Sequence, residues 1–328
     1  MKIFAFAVRE YDEKKYLEEI CNREGIEYDY TSEYPTIDNT ELAKGYDALS
    51  IITNPMYPQL LEKYHEMGIR YISTRSIGYD HIDVAFANSL GIKIAHVTYD
   101  PNSVANYTIM MMLMGCRKIM HIMKRAEVQD FSLRGKAGKE FSNCVIGVVG
   151  TGRIGAKVIE HLSGFGVKIL AYDLYQNDNV KKYAQYTDLD TLYAQSDIIT
   201  LHAPGSKENY HMIGEKAFAK MKDDVMIINN ARGSLIDTEA MIAALKSGKI
   251  GFAGLDTIEN ESGLYYLNRE GDRIDNDERA VLQSFPNVLL SPHTAFYTEQ
   301  AVKDMVYHSI EGLLNFEQEG KNEFEVIL

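Results

Sequence analysis

Three polar patches of the 328-residue chain each follow a run of apolar residues, and they hold the side chains best suited to chemistry. They contain Arg232, the acidic residues Glu259 and Glu261, and His293. A guanidinium binds a carboxylate through two parallel hydrogen bonds and stays cationic at any working pH. An imidazole exchanges protons near neutrality, and a carboxylate on its far nitrogen fixes its tautomer. Together such groups could bind a small oxo acid and protonate its carbonyl oxygen during reduction.

These patches can meet if they lie at the carboxyl ends of parallel strands, where open α/β sheets bind ligands. Apolar runs and amphipathic stretches do alternate along the chain, which predicts an α/β fold with parallel sheets covered on both faces. The predicted strands are residues 2–8, 48–52, 70–74, 92–97, 145–149, 197–201, 224–229, 250–255 and 287–290. The predicted helices are residues 12–24, 57–67, 84–90, 101–123, 238–247 and 298–319.

A glycine-rich turn after the 145–149 run is the strongest single signal. Gly150 permits a sharp turn, Gly152 lets the backbone approach a pyrophosphate, and Gly155 lets helix and strand pack closely. The free N–H groups at the helix start would bind phosphate. Asp173, at the end of the following apolar run, can accept hydrogen bonds from both adenosine ribose hydroxyls. Because none of the next three residues is basic, the sequence predicts binding of NAD rather than NADP.

The position of the turn in mid-chain predicts two Rossmann-like or flavodoxin-like domains with a cleft between them. We expect a discontinuous substrate domain from residues 1–100 and 299–328, and an NAD-binding Rossmann domain from residues 101–298. The last amphipathic helix would then pack on the N-terminal unit. The polar segment 260–277 is expected to be a loop inserted between two core strands.

Composition limits the possible partners and location. The formal net charge of −13 disfavours nucleic acid and anionic membranes as partners. Three cysteines without CxxC spacing, and an N-terminus without a secretory signal, favour a cytoplasmic location. The histidines show no metal-ligand spacing, so no metal site is predicted. The apolar run 109–114 is too short to span a bilayer, and its Met-rich helix is expected to lie in the core or a subunit interface.

Over essentially its whole length the sequence resembles the D-isomer-specific 2-hydroxyacid dehydrogenase family. It is most similar to the D-lactate and D-2-hydroxyisocaproate dehydrogenase branch, including the vancomycin-resistance type, in the stretches VTYDPNSVA and PHTAFYT. The resemblance places the catalytic Arg on Arg232, the Glu on Glu261 and the acid/base His on His293. It favours Glu261 over Glu259, which stands closer to the strand end and could instead be a capping or solvated residue.

The same resemblance implies substrate and cofactor contacts. It places substrate binding on Ser76, Ile77, Gly78, Tyr99, Phe296 and Tyr297, the first three as a backbone loop for the carboxylate. It places cofactor binding on Val104, Gly150, Gly152, Arg153, Ile154, Gly155, Asp173, His202, Ala203, Pro204, Asn230, Ala231, Asp256 and Ala295. Ile52 stands where some lactate-specific members have an aromatic residue, which would widen the pocket.

The resemblance implies an NAD-dependent D-2-hydroxyacid dehydrogenase that transfers hydride to a 2-oxo acid, giving the R-2-hydroxy acid. Pyruvate is the expected substrate. Larger 2-oxo acids such as phenylpyruvate or 2-oxoisocaproate are one alternative, and a non-catalytic NAD(H)-sensing protein on the same fold is another. The family also implies a homodimer.

Overall fold

A computed structural model describes residues 1–327. The chain forms two compact units, the first from Met1–Asp100 together with Tyr297 onward, and the second from Pro101–Phe296. The sequence prediction placed the return to the first unit at residue 299. Each unit is built around its own sheet, and the elements below are numbered in chain order.

The strands of both sheets are short, and most of them are buried. They are β1 (Lys2–Ala5), β2 (Glu27–Tyr30), β3 (Ala48–Ile51), β4 (Tyr71–Thr74), β5 (Lys93–Ala95), β6 (Val145–Val149), β7 (Lys168–Tyr172), β8 (Gln185–Tyr186), β9 (Ile198–Leu201), β10 (Val225–Asn229), β11 (Ile250–Leu255), β12 (Val288–Leu290) and β13 (Glu325–Val326).

The α-helices connect the strands in each unit. They are α1 (Lys14–Glu24), α2 (Pro58–Glu66), α3 (Val84–Ser89), α4 (Asn102–Cys116), α5 (Ile119–Glu127), α6 (Arg153–Leu162), α7 (Leu189–Gln195), α8 (Glu215–Lys220), α9 (Thr238–Lys246), α10 (Asp277–Ser284) and α11 (Glu299–Glu319).

The sheet of the first unit has the order β13-β5-β4-β3-β1-β2. Its strands pair in parallel except β13, which is antiparallel to β5. Helix α11 packs on this sheet, where the buried hydroxyls of Ser50 and Ser309 are 2.8 Å apart. The rings of Tyr71 and Phe316 stack there with centroids 5.5 Å apart. The C-terminal helix is therefore part of the core formed by the first hundred residues.

The sheet of the second unit is wholly parallel, with the order β12-β11-β10-β9-β6-β7-β8. Buried apolar residues cover both of its faces, in two clusters that include Ile227 and Leu255 on one face and Ile146 and Ile228 on the other. The predicted α/β class with two parallel-sheet domains is confirmed.

The single helix predicted over residues 101–123 is wrong, because the structure breaks it into α4 and α5. Lys118 lies between them with a left-handed φ of 51°. The carbonyl of Cys116 at the end of α4 accepts a hydrogen bond of 2.8 Å from the Lys139 amide. Gly138 lies so close to the same carbonyl that a Cβ would be 2.3 Å from its oxygen. A loop distant in sequence therefore ends the helix.

Candidate active site

The three polar patches leave the sheet of the second unit side by side. Asn229, Leu255 and Leu290 end the neighbouring strands β10, β11 and β12, and they are register partners across the sheet. A parallel ladder with this register delivers the residues that follow to one edge. A Cβ on Gly233 would be 2.0 Å from the backbone of Ile258, so only glycine lets the first two patches pass this closely.

His293 pairs with Glu261. Its Nδ1 lies 2.6 Å from Oε1 of Glu261, and both side chains are about three-quarters buried, with 22% and 25% exposed. The second carboxylate oxygen of Glu261 accepts a hydrogen bond of 3.1 Å from the Ile258 amide. The ring is thus held through Nδ1, which leaves Nε2 as the nitrogen that would exchange a proton with a substrate.

Glu259, the competing acid, has different partners. One of its oxygens accepts hydrogen bonds from the amide and hydroxyl of Thr238, at 3.1 and 2.6 Å. Its other oxygen lies 2.7 Å from Nε2 of His211. Glu259 therefore holds the first turn of α9 against a neighbouring loop, and the acid that the structure brings to His293 is Glu261.

Arg232 stands in the loop directly after β10. Its backbone carbonyl accepts a hydrogen bond of 2.8 Å from the Asn229 side chain, and its Nη1 donates to the Ala231 carbonyl at 2.8 Å. A Cβ on Gly205 would approach Cγ of Arg232 to 3.0 Å. Glycine at this position therefore leaves room for the stem of the arginine.

Asp256 organises the loop that carries His293. Its fully buried carboxylate accepts hydrogen bonds from the Ser291 hydroxyl at 2.6 Å, the Thr294 amide at 2.9 Å and the Ala295 amide at 2.8 Å. Its backbone carbonyl accepts the His293 amide at 2.9 Å. The resemblance implies that Asp256 and Ala295 lie beside the cofactor, which stays a prediction. The structure shows that the hydrogen bonds of Asp256 fix the shape of the 291–295 loop.

The glycine-rich turn has the geometry that a dinucleotide needs. Gly150 has a φ of 92°, and a Cβ there would be 2.6 Å from the His202 backbone. A Cβ on Gly155 would be 2.0 Å from the Gly150 carbonyl oxygen, whereas one on Gly152 would meet nothing within 4 Å. Gly152 thus borders open space at the start of α6, where Arg153 and Ile154 begin the helix. A pyrophosphate fits there.

Asp173 follows β7 directly, beside this turn. Its Oδ2 accepts hydrogen bonds from the amide and hydroxyl of Thr151, at 2.6 and 3.1 Å. Its Oδ1 accepts the Tyr175 amide at 2.9 Å. These donors fix the carboxylate, whose remaining lone pairs could accept hydrogen bonds from ribose hydroxyls.

The remaining cofactor candidates lie after β9, after β10 and on α4 of the second unit. The His202 amide donates to the Val149 carbonyl at 2.7 Å, ahead of Ala203 and Pro204. Desolvation lowers the pKa of His202 to about 3, so its ring is neutral at physiological pH. Asn230, next to Ala231, donates to the Thr108 hydroxyl at 2.9 Å, and that hydroxyl donates to the Val104 carbonyl at 2.8 Å.

In the first unit, the loop after β4 is ordered by buried polar contacts. Arg75 donates to Glu13 at 3.0 Å, and both side chains are almost fully buried. Burial raises the pKa of the Glu13 carboxyl, but the neighbouring guanidinium groups of Arg75 and Arg9 outweigh this effect. The pKa of Glu13 is therefore below its usual value. The Ser76 hydroxyl donates to the Gly78 carbonyl at 2.7 Å, which tightens the turn around Ile77.

The first unit also holds two aromatic candidates. Tyr99 is 9% exposed. Tyr297 donates from its hydroxyl to Asp12 at 2.5 Å, and the Arg9 guanidinium lies 5.7 Å from its ring centroid. Ile52, the residue expected to widen the pocket, is buried.

Sequence reasoning missed Tyr266. Its hydroxyl donates to the backbone carbonyl of His293 at 3.1 Å, and its ring centroid is 5.8 Å from that of His293. Its ring also meets Phe296 edge to face at 6.3 Å. The sequence contained one signal for it, since Tyr265 and Tyr266 are adjacent in the otherwise polar segment 260–277. Aromatic rings in such a segment indicate packing against an apolar group or a functional role.

Residues 1–327 lack two features, namely a cluster of metal-ligating side chains and a helix able to span a membrane. Residues 1–327 contain no group of three or more His, Cys, Asp or Glu side chains arranged to hold a metal ion. No helix in that part of the chain has both the length and the apolar character needed to cross a bilayer.

Comparison with known proteins places the chain in a family. A family model described as the NAD-binding domain of D-isomer-specific 2-hydroxyacid dehydrogenases matches residues 109–295. An aromatic 2-oxoacid reductase of Clostridium sporogenes is 45% identical over 98% of this chain and 97% of its own. A D-lactate dehydrogenase of Lactiplantibacillus plantarum is 40% identical over 99% of both. A solved D-2-hydroxyisocaproate dehydrogenase superposes with a TM-score of 0.90, at 37% identity over 99% of both chains.

The chain therefore belongs to the D-isomer-specific 2-hydroxyacid dehydrogenases. It is an NAD-dependent enzyme of the D-lactate dehydrogenase branch and acts on small 2-hydroxy and 2-oxo acids. The family, the reaction class and the cofactor predicted from the sequence are confirmed.

Proposed function

We propose that the enzyme reduces 2-oxo acids with an aromatic side chain in preference to pyruvate. The observation that carries this proposal is a pair of aromatic rings beside His293. Tyr266 and Phe296 lie edge to face, and the centroid of the Phe296 ring is 6.5 Å from that of the imidazole. Aromatic rings favour edge-to-face and offset contacts with another ring. The 45% identity to a reductase named for aromatic 2-oxo acids supports the same choice.

In this proposal Arg232, His293 and Glu261 divide substrate binding and proton transfer among them. Arg232 binds the substrate carboxylate through its guanidinium, which also polarises the oxo group. His293 donates the proton from Nε2, and Glu261 orients the ring and offsets its charge. The glycine-rich turn and Asp173 would hold NADH, which supplies the hydride when bound.

Pyruvate is the second candidate, because relatives named D-lactate dehydrogenase are 37–40% identical over nearly the whole chain. Reduction of pyruvate, 2-oxoisocaproate and phenylpyruvate, followed at the NADH absorbance, separates the two. We expect kcat/KM for phenylpyruvate to exceed that for pyruvate by about tenfold or more, since contacts to additional apolar groups of a substrate give discrimination of this size.

A control variant tests the structural basis of this preference. Phe296→Leu removes one of the two rings and keeps an apolar residue, so it should lower kcat/KM for phenylpyruvate more than for pyruvate. Equal or higher efficiency with pyruvate in the unaltered enzyme would contradict the aromatic preference and favour the second candidate.

We also propose a homodimer formed through the second unit. Ile109, Met110, Leu113 and Phe165 line an open groove of about 640 Å³, and Met110 is 41% exposed. Met110→Asp should convert a dimer to a monomer in analytical ultracentrifugation. Tyr57→Asp, at a residue of the first unit that is 46% exposed, is the matched control. A monomeric unaltered protein would contradict the proposal.

We propose a cytoplasmic location on the basis of the thiols. Cys21, Cys116 and Cys144 are buried and unpaired, and burial raises the pKa of both Cys21 and Cys116 to about 12. Unpaired thiols are typical of a reducing compartment. Fractionation of the native cells checks the location, and recovery in a secreted fraction would contradict it.

A further inference from the structure

The backbone of His293 adopts a conformation that an ordinary residue avoids. Its φ is 54°, in the left-handed region. Such a conformation is unfavourable for a residue with a Cβ and persists only where the surroundings hold it. The His293 amide donates to the carbonyls of Asp256 and Ser291 at 2.9 and 3.0 Å. These contacts hold the amide side of the residue, and its carbonyl needs a separate restraint.

Tyr266 provides that restraint. Its hydroxyl donates to the His293 carbonyl at 3.1 Å. Tyr266 also has a left-handed φ, of 68°, and the residue is 45% exposed. A half-exposed tyrosine in such a conformation contributes little apolar burial, so packing alone does not explain why it is held there.

One turn presents the two residues that contact the side chain and the carbonyl of His293. Glu261 and Tyr266 lie at its two ends, with hydrogen bonds from the amides of Leu264 and Tyr265 to the Glu261 carbonyl at 3.0 and 3.3 Å. Tyr265 is 9% exposed and belongs to the apolar core of the second unit. The turn is therefore anchored in the core, and it contacts the side chain of His293 through Glu261 and its backbone through Tyr266.

We propose that Tyr266 is a positioning residue for proton transfer. Its hydroxyl holds the carbonyl of His293 and so keeps the strained backbone in the conformation that aligns the imidazole with both Glu261 and the substrate. Without this hydrogen bond the backbone would relax toward negative φ and turn the Cα–Cβ bond away from its present direction. This inference rests on the proposed role of His293 as the acid/base.

The variant Tyr266→Phe removes the hydroxyl and keeps the ring. We expect kcat to fall about tenfold, because small misplacements of a catalytic group are costly, while KM for phenylpyruvate and the Kd of NADH change less than twofold. The solvent deuterium isotope effect on kcat should rise, since a misaligned imidazole makes proton transfer more rate-limiting. The ratio of phenylpyruvate to pyruvate efficiency should stay the same because the ring is retained.

The matched control is Tyr183→Phe, which removes a hydroxyl from a tyrosine of the second unit that is 47% exposed, close to the exposure of Tyr266. It should keep kcat within twofold, with the isotope effect of the unaltered enzyme. The inference is overturned if Tyr266→Phe retains kcat within twofold, or if kcat falls with an unchanged isotope effect and a lowered Tm. Measuring His293→Gln in parallel separates the two proposals, since full turnover in that variant would remove His293 itself from the mechanism.

Discussion

Replacing His293 with Gln should reduce the turnover of every 2-oxo acid by on the order of a thousandfold while NADH still binds. Gln keeps a polar side chain of similar reach but cannot donate a proton to a nascent alkoxide at neutral pH, and positioned acid/base groups contribute effects of this size. The glycine-rich turn that we propose holds NADH follows a different strand, β6. Steady-state kinetics and titration of NADH fluorescence measure the two quantities separately.

His211 offers a matched control for this variant. It is also a partly buried histidine of the second unit with a carboxylate partner, since its Nε2 lies 2.7 Å from Glu259. His211→Gln should keep turnover within a few-fold, because its partner holds a helix terminus. Wild-type turnover in His293→Gln would exclude His293 as the proton donor.

Replacing Arg232 with Lys should lower kcat/KM by on the order of a hundredfold or more. The ammonium keeps the charge but cannot form two parallel hydrogen bonds to the carboxylate and oxo group. Both kcat and KM should change, because the guanidinium is expected to contact substrate in the ground state and in the transition state. Kinetics with saturating NADH check the result.

Arg279→Lys is the control for the arginine. Arg279 lies on α10 and donates to Gln283 at 3.0 Å, so the same change of side chain there should leave kcat/KM nearly unaltered. A loss of less than about fivefold in Arg232→Lys would show that a point charge suffices at that position.

The parts of the fold that the sequence predicted are those specified by local pattern. The glycine-rich turn is recognisable from the spacing of its three glycines. Buried strands such as β10 and β11 are recognisable because they are largely apolar runs. Strand β2, the polar stretch Glu27–Tyr30 at the edge of its sheet, was missed because an edge strand lacks that signal. Strand β13 was missed because it pairs over only two residues, Glu325 and Val326.

The details that the sequence did not predict depend on contacts between distant residues. The end of α4 is set by Gly138 and Lys139, more than twenty positions further along the chain. Family resemblance favoured Glu261 over Glu259. Both residues lie in irregular backbone, however, where sequence periodicity cannot predict which way a side chain points. The contacts in the structure distinguish the two acids, since Glu261 lies 2.6 Å from His293. Glu259 instead contacts Thr238 and His211.

Tyr266 illustrates the same limit. It lies in a segment without periodicity, and although two adjacent tyrosines are unusual there, the sequence does not show that one hydroxyl contacts a backbone carbonyl. By contrast, the enzyme class and the cofactor could be predicted, because the turn and the Arg, Glu and His patches are short motifs whose chemistry is visible in their residues.

Asn229, Leu255 and Leu290 are register partners across the sheet, and this alignment limits where residues can be inserted or deleted. One residue inserted within β12 would advance the chain by about 3.3 Å and turn every later side chain to the other face, which would carry His293 away from Glu261. We expect insertions to be tolerated only in segments that do not set the position of His293 relative to Glu261. The stretch between Tyr266 and α10 is that place, so natural and engineered variants should gain or lose residues there and nowhere else around the three patches.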